Sequence, residues 1–384
     1  MLNLLRLSSQ RFRKTGIIPR MNYSILVEET IVERTDYPLK KCQDIIGGKQ
    51  IAVLGYGPQG RGQALNLRDN GFNVTVGVRK GPSWDKAIED GWVEGDSLVP
   101  FETAAEKGDI VQYLLSDAAQ IQQWPLLKQH LTPNKTLYFS HGFGLTFPEQ
   151  TQIIPPPDID VVVVAPKGSG LTVRNHFVNG GGINASYAVF QDVSGEAKDT
   201  ALSLAFGIGC GHAFETTAQK EVYSDLTGER CVLMGLIQGA FKAQYEVLRE
   251  NGHSRSEAYN ETVEEALESL YPLISEQGMD WMFRNCSTTA QRGALDWAPK
   301  FEKAIKPVIE ECYRDVINGT ETARTIACNS NDTYRENLET ELAFIERSEL
   351  WEVGKQLRKL RPNNKKNNKT DNKIKEGFNH PCPS

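Results

Sequence analysis

Carboxylates spaced four residues apart are the groups in this chain with the clearest potential for chemistry. A helix brings positions four apart onto one face. On two predicted helical segments we single out three such pairs: Asp225 with Glu229, Glu261 with Glu265, and Glu264 with Glu268. Stacked like charges repel, and a divalent cation, which prefers hard oxygen ligands, offsets that repulsion. Solvated glutamates on an exposed helix are the ordinary explanation for any single pair, so spacing alone leaves the choice open.

A histidine and a lysine stand at the ends of two apolar runs. His141 comes after the run 136–140, and the run 160–165 precedes Lys167 by one residue. Near-continuous apolar strands are typical of a buried parallel sheet, in which ligands bind beyond the carboxyl ends of the strands. Both residues are therefore candidate site residues. The alternatives are a histidine packed at a strand end and a lysine that is only solvated in its loop.

A glycine-rich loop separates the run 50–54 from a helical stretch at 61–70. The first glycine permits a tight turn, the second lets the backbone approach a pyrophosphate, and the third lets helix and strand pack closely. The helix N-terminus offers free N–H groups to phosphates. This arrangement predicts a dinucleotide site formed by six residues: Gly55, Tyr56, Gly57, Pro58, Gln59 and Gly60.

The loop after the second predicted strand, 73–78, indicates which dinucleotide binds. An NAD enzyme usually places Asp or Glu there, to bond the ribose hydroxyls. This chain has Arg79 and Lys80 instead, with Ser83 close by, and these groups suit a 2′-phosphate. We therefore predict NADPH in preference to NADH, with a solvated basic loop as the alternative. Four residues at other strand ends are further expected cofactor contacts: Ser116, Asp117, His141 and Gly142.

The 384 residues are enough for two domains. Strands alternate with helices up to about 217, and long helical segments follow, including 221–250 and 254–274. The predicted fold is α/β plus all-α, with a Rossmann-type parallel sheet domain at 25–217 and a helical domain at 218–360.

The two ends differ from the rest in composition. Residues 1–24 carry five Lys or Arg side chains, and no acidic residue occurs before Glu28. This predicts a transit peptide to the mitochondrial matrix, with a plastid as the alternative destination and a flexible basic terminus as the simpler explanation. Residues 361–384 form an Asn- and Lys-rich tail that is predicted to be disordered. Nucleic-acid binding by this tail is a weak secondary possibility.

Overall composition narrows the class of protein. Hydrophobic residues at 39%, charged residues at 24% and a net charge of −6 are typical of a globular domain without a general attraction to nucleic acid. Apolar runs are strand-sized, so no membrane association is expected. Seven cysteines without a C-x-x-C pair argue against a disulfide framework or a zinc site. Cys210, Cys231 and Cys328 stand among apolar or small residues and are predicted to be buried and inert.

Several motifs, in order, resemble those of ketol-acid reductoisomerases (acetohydroxyacid isomeroreductases), especially the mitochondrial form of fungi. The resemblance extends over about residues 30–362. The stretches that carry it are 55–69, 115–120, 139–143, 165–170, 224–230, 260–265 and 286–290.

The resemblance implies a set of site residues. Asp225 and Glu229 would hold two Mg²⁺ ions, with Asp225 between the ions, and Glu261 and Glu265 would complete the carboxylate set. It implies further that Ser287 and Glu261 bind the substrate. His141 matches a histidine near the nicotinamide and Lys167 a lysine of the polar network; Glu265 is the expected acid or base.

The resemblance also implies an activity and a topology. The family shifts an alkyl group in 2-acetolactate or 2-aceto-2-hydroxybutyrate and reduces the product with NADPH to a 2,3-dihydroxy acid, a step in valine, isoleucine and leucine biosynthesis. Its helical domain is knotted, a rare exception among folds, and its members form dimers or larger homo-oligomers.

Two other classes of protein share part of the pattern. A metal-free hydroxyacid dehydrogenase also joins a dinucleotide-binding domain to a helical one, and Mg²⁺ dependence separates it from a reductoisomerase. A nucleic-acid-binding or scaffold protein would depend on the basic tail, whose deletion would leave catalysis unchanged.

Overall fold

A nine-stranded sheet forms the centre of the first domain in the computed structural model of the protein, which describes residues 29–361. The predicted transit peptide, and the predicted tail beyond Arg361, lie outside these residues. The strands are β1 (Ile31–Glu33), β2 (Ile51–Leu54), β3 (Val74–Gly77), β4 (Leu98–Val99), β5 (Ile110–Tyr113), β6 (Thr136–Phe139), β7 (Asp160–Pro166), β8 (Ala185–Gln191) and β9 (His212–Glu215). Their order across the sheet is β1-β9-β8-β7-β6-β5-β2-β3-β4.

Six strands that are neighbours in the sheet are parallel, as the apolar runs predicted. They are β7, β6, β5, β2, β3 and β4. β8 and β1 add antiparallel pairs at the far side. Alternate residues of β2 enter different hydrophobic clusters, Ile51 and Val53 on one face and Ala52 and Leu54 on the other. Burial on both faces explains why the run is continuously apolar.

Helices cover both faces of the sheet and connect its strands. They are α1 (Leu39–Ile46), α2 (Pro58–Asp69), α3 (Pro82–Glu89), α4 (Phe101–Lys107), α5 (Asp117–Leu127), α6 (Phe143–Thr146), α7 (Pro148–Thr151), α8 (Gly170–Val178) and α9 (Ala197–Gly207). A short 3₁₀ turn, Lys128–His130, follows α5. Residues 29–215 thus form a Rossmann-type domain.

The second part of the described chain is all helical. Its helices are α10 (Ala218–Gly228), α11 (Gly235–Glu250), α12 (Arg255–Tyr259), α13 (Tyr271–Gln277), α14 (Met279–Arg284), α15 (Thr288–Ile317), α16 (Thr320–Asn329), α17 (Tyr334–Glu346) and α18 (Glu349–Arg358). Three π-helical turns, Glu229–Leu233, Asn260–Glu264 and Ala266–Leu270, lie among them. No helix in residues 29–361 is both long and apolar enough to cross a membrane.

One sequence prediction was wrong in this region: the stretch 221–250 is not a single helix. The backbone leaves helical geometry at Cys231, with φ −99° and ψ −117°, and again at Met234. Helical periodicity does not report such a break, because the apolar positions continue on both sides of it. The second predicted helix, 254–274, is observed as a helical segment that runs from Arg255 to Gln277 through two of the π-helical turns.

Burial of the cysteines agrees with expectation at two of three positions. Cys210 and Cys231 are buried. Cys328, on α16, is exposed, so the prediction was wrong there. Its apolar neighbours in sequence lie on other faces of the helix, and local composition cannot show which face points outward.

Candidate active site

Helix α10 crosses the carboxyl ends of β6 and β7, where His141 and Lys167 follow the strands. The helix begins at Ala218, after Thr217 accepts a hydrogen bond from the Lys220 N–H (3.1 Å). A Cβ added to Gly142 would lie 2.6 Å from the Ala218 carbonyl oxygen. Glycine at this position therefore lets the helix approach the strand ends closely enough for side chains to meet.

Glu221 is the centre of the resulting polar cluster. One carboxylate oxygen, Oε2, lies 3.1 Å from His141 Nδ1 and accepts a 3.0 Å hydrogen bond from the Gly142 N–H. The other, Oε1, accepts a 3.1 Å hydrogen bond from Lys167 Nζ. Only 1% of the Glu221 side chain is exposed. This buried carboxylate is therefore paired on both oxygens, as a buried charge requires.

Asp225 lies one helical turn beyond Glu221 and faces the same two cations. Its Oδ2 is 3.5 Å from His141 Nδ1, and its Oδ1 is 3.8 Å from Lys167 Nζ. Ligand atoms of His141, Glu221 and Asp225 all lie within 4.8 Å of one another. Within residues 29–361, this is the one group of three or more His, Cys, Asp or Glu side chains close enough to share a metal ion.

Contacts within the cluster shift the pKa values of His141 and Glu221. Burial by itself would lower the pKa of His141, but the hydrogen bond and charge of Glu221, with Asp117 and Asp225, raise it to about 9. Burial would raise the pKa of Glu221, but His141, Lys167 and the Gly142 N–H lower it to about 2. The histidine is thus a cation and the glutamate an anion at neutral pH.

Two nearby carboxyl groups have raised pKa values, in contrast to Glu221. Burial, and then the charge of Asp225, raise the pKa of Glu229. Burial also raises the pKa of Asp117, and the charges of Asp225 and Glu221 add to this shift although His141 opposes it. Negative charge is therefore in excess around Asp225, a condition that a bound cation would relieve.

Glu221 was missed in the sequence analysis, although a signal for it was present. It stands four residues before Asp225, so the spacing that selects Asp225 and Glu229 extends one turn back to it. The sequence could not show that a histidine and a lysine from two strand ends would meet this third carboxylate.

Other predicted ligands lie outside the cluster. Glu261 and Glu265 are exposed on the 255–277 segment, and neither forms an ion pair with another described residue. Glu264 and Glu268, the alternative pair, both contact Arg361, at 2.7 Å and 2.8 Å. The structure thus separates two pairs that spacing alone could not distinguish.

Ser287 is the N-cap of α15, where its hydroxyl accepts a hydrogen bond from the Ala290 N–H (3.2 Å). Its side chain is exposed and is not part of the cluster around Asp225. The hydroxyl has a structural contact that would explain serine here without a ligand.

The glycine-rich loop has the predicted strand, turn and helix geometry. Gly55 has φ +104°, which favours glycine, and a Cβ on Gly60 would lie 2.2 Å from the Gly55 carbonyl oxygen. A Cβ on Gly57, in contrast, would meet no atom within 4 Å. Packing within the chain therefore explains two of the glycines, and the third borders open space at the start of α2. No side chain caps that helix, so its first N–H groups are available to a phosphate.

Side-chain contacts anchor this loop from two directions. The Tyr56 hydroxyl donates to Asp90 (2.9 Å), and Arg61 donates to the same carboxylate (2.6 and 2.9 Å). On the other side, Gln59 Nε2 donates to the Gly168 carbonyl (2.9 Å), beside Lys167. Asp90 is a second residue that the sequence analysis missed, because nothing in its local pattern indicates a partner more than twenty residues away.

Basic groups lie at the end of β3, as the sequence predicted. Arg79 and Lys80 are exposed, and Ser83 lies in the first turn of α3. Lys80 forms an ion pair with Glu94. Ser116 lies in the loop between β5 and α5 and is the N-cap of α5. It makes no capping hydrogen bond, so its hydroxyl is available to a ligand.

Comparison with known proteins identifies the family. Residues 45–213 match the family model described as "Acetohydroxy acid isomeroreductase, NADPH-binding domain", and residues 218–363 match that of "Ketol-acid reductoisomerase, C-terminal domain". The chain belongs to the ketol-acid reductoisomerase family. Its activity is therefore that of a ketol-acid reductoisomerase, a nicotinamide-dependent oxidoreductase and isomerase of branched-chain amino-acid biosynthesis.

Individual relatives agree with this assignment. The mitochondrial ketol-acid reductoisomerase of Neurospora crassa is 57% identical over 88% of this chain and 85% of its own length. That of Saccharomyces cerevisiae is 58% identical over the same shares of the two chains. A solved structure of an NADH-preferring ketol-acid reductoisomerase from an uncultured archean has 34% identity and a TM-score of 0.76, covering 87% of this chain and 99% of that one.

Proposed function

We propose that the chain divides the reductoisomerase reaction between its two domains, with residues 25–217 binding NADPH and residues 218–360 binding metal and substrate. The substrates are 2-acetolactate and 2-aceto-2-hydroxybutyrate, and the products are the corresponding 2,3-dihydroxy acids. The observation that carries this proposal is the cluster of His141, Lys167, Glu221 and Asp225 beside the nucleotide loop.

Asp225, Glu229, Glu261 and Glu265 are the residues that we propose hold two Mg²⁺ ions. Their donors are carboxylate oxygens, which Mg²⁺ prefers. The raised pKa of Glu229 and the excess negative charge around Asp225 support a cation here. Bound Mg²⁺ supplies electrostatic stabilisation of the negative charge that develops on two adjacent substrate oxygens during alkyl migration.

Glu221 acts in this proposal as a positioning residue and not as a metal ligand. Both its oxygens are already paired with His141, Lys167 and the Gly142 N–H. Those contacts would hold His141 in place for the nicotinamide, and they keep Lys167 beside Asp225. The carboxylate charge also raises the pKa of His141 and so favours its protonated form, with Nδ1 held beside Glu221.

Glu265 is proposed to exchange a proton with the product oxygen, and Ser287 and Glu261 to bind the substrate. Glu265 is exposed and has no ion-pair partner among the described residues, so its carboxylate is free for this role. NADPH, which supplies the hydride, is proposed to bind through the glycine-rich loop, the basic loop at Arg79, Lys80 and Ser83, and the strand-end residues, which are Ser116, Asp117, His141 and Gly142.

Two copies of the chain are proposed to complete each site. Within one chain, Glu261 and Glu265 do not join the cluster around Asp225. Large apolar side chains of the helical domain, such as Trp297, Phe301 and Phe344, are more than half exposed. We propose that the interface that covers them also brings the second carboxylate pair of one copy to the first pair of the other.

A mixed-subunit experiment tests this arrangement. Asp225→Asn and Glu265→Gln chains, each inactive alone, are co-expressed or reassembled together. If a site is shared between copies, each mixed dimer contains one intact site, and random assembly restores about a quarter of wild-type activity. If each chain builds its site alone, the mixture stays inactive and the shared-site proposal fails.

The reaction itself is tested by following the consumption of NADPH with 2-acetolactate, with and without Mg²⁺, and by repeating the assay with NADH. Turnover that requires Mg²⁺ and prefers NADPH supports the proposed metal and cofactor residues together. Metal-independent turnover of a simple 2-keto acid would instead favour a hydroxyacid dehydrogenase. Import into isolated mitochondria tests the proposed matrix location: the imported chain should resist protease after rupture of the outer membrane alone and be digested once both membranes are ruptured.

A further inference from the structure

Lys80, one of the two cations proposed to face the 2′-phosphate, already has a partner in the chain. Its ammonium lies 3.9 Å from the ring centroid of Trp84, which is only 3% exposed. It also forms an ion pair with Glu94, in which both side chains are more than half exposed. Arg79, in contrast, makes no ion pair within residues 29–361. The two neighbouring cations therefore differ in their availability to an anion.

Backbone contacts hold Glu94 in this position. The Leu98 N–H donates to the Val93 carbonyl (2.9 Å), and the Gly95 N–H donates to the Leu98 carbonyl (2.9 Å). Leu98 begins β4, which pairs with β3 through Val76 and Leu98. Gly95 has φ +83°, a conformation that permits the tight turn. A carboxylate is thus held beside the carboxyl end of β3, where the adenosine ribose is bound in this class of fold.

We infer that Glu94 is a cofactor-specificity residue that competes with the 2′-phosphate of NADPH for Lys80. This inference rests on the proposed function of Arg79, Lys80 and Ser83 as the 2′-phosphate contacts. A 2′-phosphate that binds Lys80 must displace Glu94 or lie close to its negative charge, and either event disfavours NADPH. NADH has hydroxyls at this position and meets neither penalty. Glu94 therefore reduces the preference of the enzyme for NADPH over NADH.

The size of the effect follows from the exposure of the pair. Exposed ion pairs contribute little because water and salt screen them, so removing Glu94 is expected to change specificity about two- to fivefold. Salt screens the interaction further, since the Debye length is about 8 Å at physiological ionic strength. The change is therefore expected to be largest at low ionic strength.

The test compares kcat/KM for NADPH and for NADH in the complete enzyme and in Glu94→Gln. We expect the NADPH/NADH ratio of Glu94→Gln to rise about two- to fivefold at low salt, mainly through a lower KM for NADPH, and to approach the wild-type ratio at high salt. Asp96→Asn is the matched control. Asp96 is an exposed carboxylate of the same turn without an ion-pair partner among the described residues, so its ratio should not change.

Lys80→Met distinguishes failure of this inference from failure of the proposed function. If Lys80 contacts the 2′-phosphate, Lys80→Met lowers the NADPH/NADH ratio. An unchanged ratio in Glu94→Gln together with a lowered ratio in Lys80→Met overturns the role of Glu94 alone. An unchanged ratio in both variants overturns the proposed 2′-phosphate site as well as this inference.

Discussion

Helix α10 and the 255–277 segment carry carboxylate pairs of the same spacing in very different surroundings. On α10, Asp225 lies beside Glu221, His141 and Lys167, at the edge of the sheet. On the 255–277 segment, Glu261 and Glu265 face outward, without an ion pair to any described residue. Spacing thus identifies pairs that share a helical face, whereas the opposing strand ends determine which pair a single chain can build into a site.

The largest effect is expected for Asp225→Asn, which tests the half of the site that the chain builds by itself. If Asp225 holds Mg²⁺ as proposed, loss of its charge should lower Mg²⁺-dependent isomerisation by roughly a thousandfold or more. NADPH binding, measured by nucleotide fluorescence, should be retained because the glycine-rich loop is unchanged. Glu268→Gln is the control, since Glu268 forms an ion pair with Arg361 and with no other described residue. Isomerisation at more than a tenth of the wild-type rate would contradict the assignment.

Two matched substitutions, Glu265→Gln and Glu264→Gln, test the exposed carboxylates of the 255–277 segment. The two residues are adjacent, but Glu264 is paired with Arg361 and Glu265 has no such partner. We expect Glu265→Gln to lower isomerisation by roughly a hundredfold or more and Glu264→Gln to lower it less than about threefold. Rates are measured with saturating Mg²⁺ and NADPH. Equal effects of the two substitutions would contradict the assignment of Glu265, and not Glu264, to the site.

Glu221→Gln probes the buried centre of the cluster through stability. The substitution keeps the size of the side chain but removes the anion that pairs with His141 and Lys167. Because Asp225 remains nearby and the two cations are partly exposed, the free energy of unfolding should fall by roughly 2 kcal/mol. Urea denaturation in the presence of a chelator measures this change. Glu215→Gln, at an exposed pair with Lys198, is the control and should cost less than about 1 kcal/mol.

A pH dependence of stability is expected in the metal-free protein. The pKa of His141 is raised to about 9, so its contribution to stability is complete below its ordinary pKa of about 6.5 and is lost as the pH rises through 9. The stability difference between wild type and His141→Gln should therefore shrink between pH 7 and pH 10. Chemical denaturation of both proteins at a series of pH values measures it, and a pH-independent difference would contradict the paired imidazolium.

Much of the first domain follows from local sequence. The apolar runs at β2, β5, β6 and β7 are continuous because those strands are buried on both faces, and glycines at fixed positions mark the nucleotide loop. The interruption of the helix at Cys231 and the exposure of Cys328 were not predicted. Both depend on how helices pack against one another, which leaves little trace in the periodicity of one segment.

For the site, the sequence by itself determined the chemical types: carboxylates at helical spacing, a histidine and a lysine at strand ends, and cations after the second strand of the nucleotide fold. Only the tertiary structure decided which of these meet. Glu221 is central because α10 approaches Gly142 closely, and Glu264 differs from Glu265 because Arg361 reaches one of them. Contacts between residues far apart in sequence depend on how the elements pack, and spacing along one element carries no information about its neighbours.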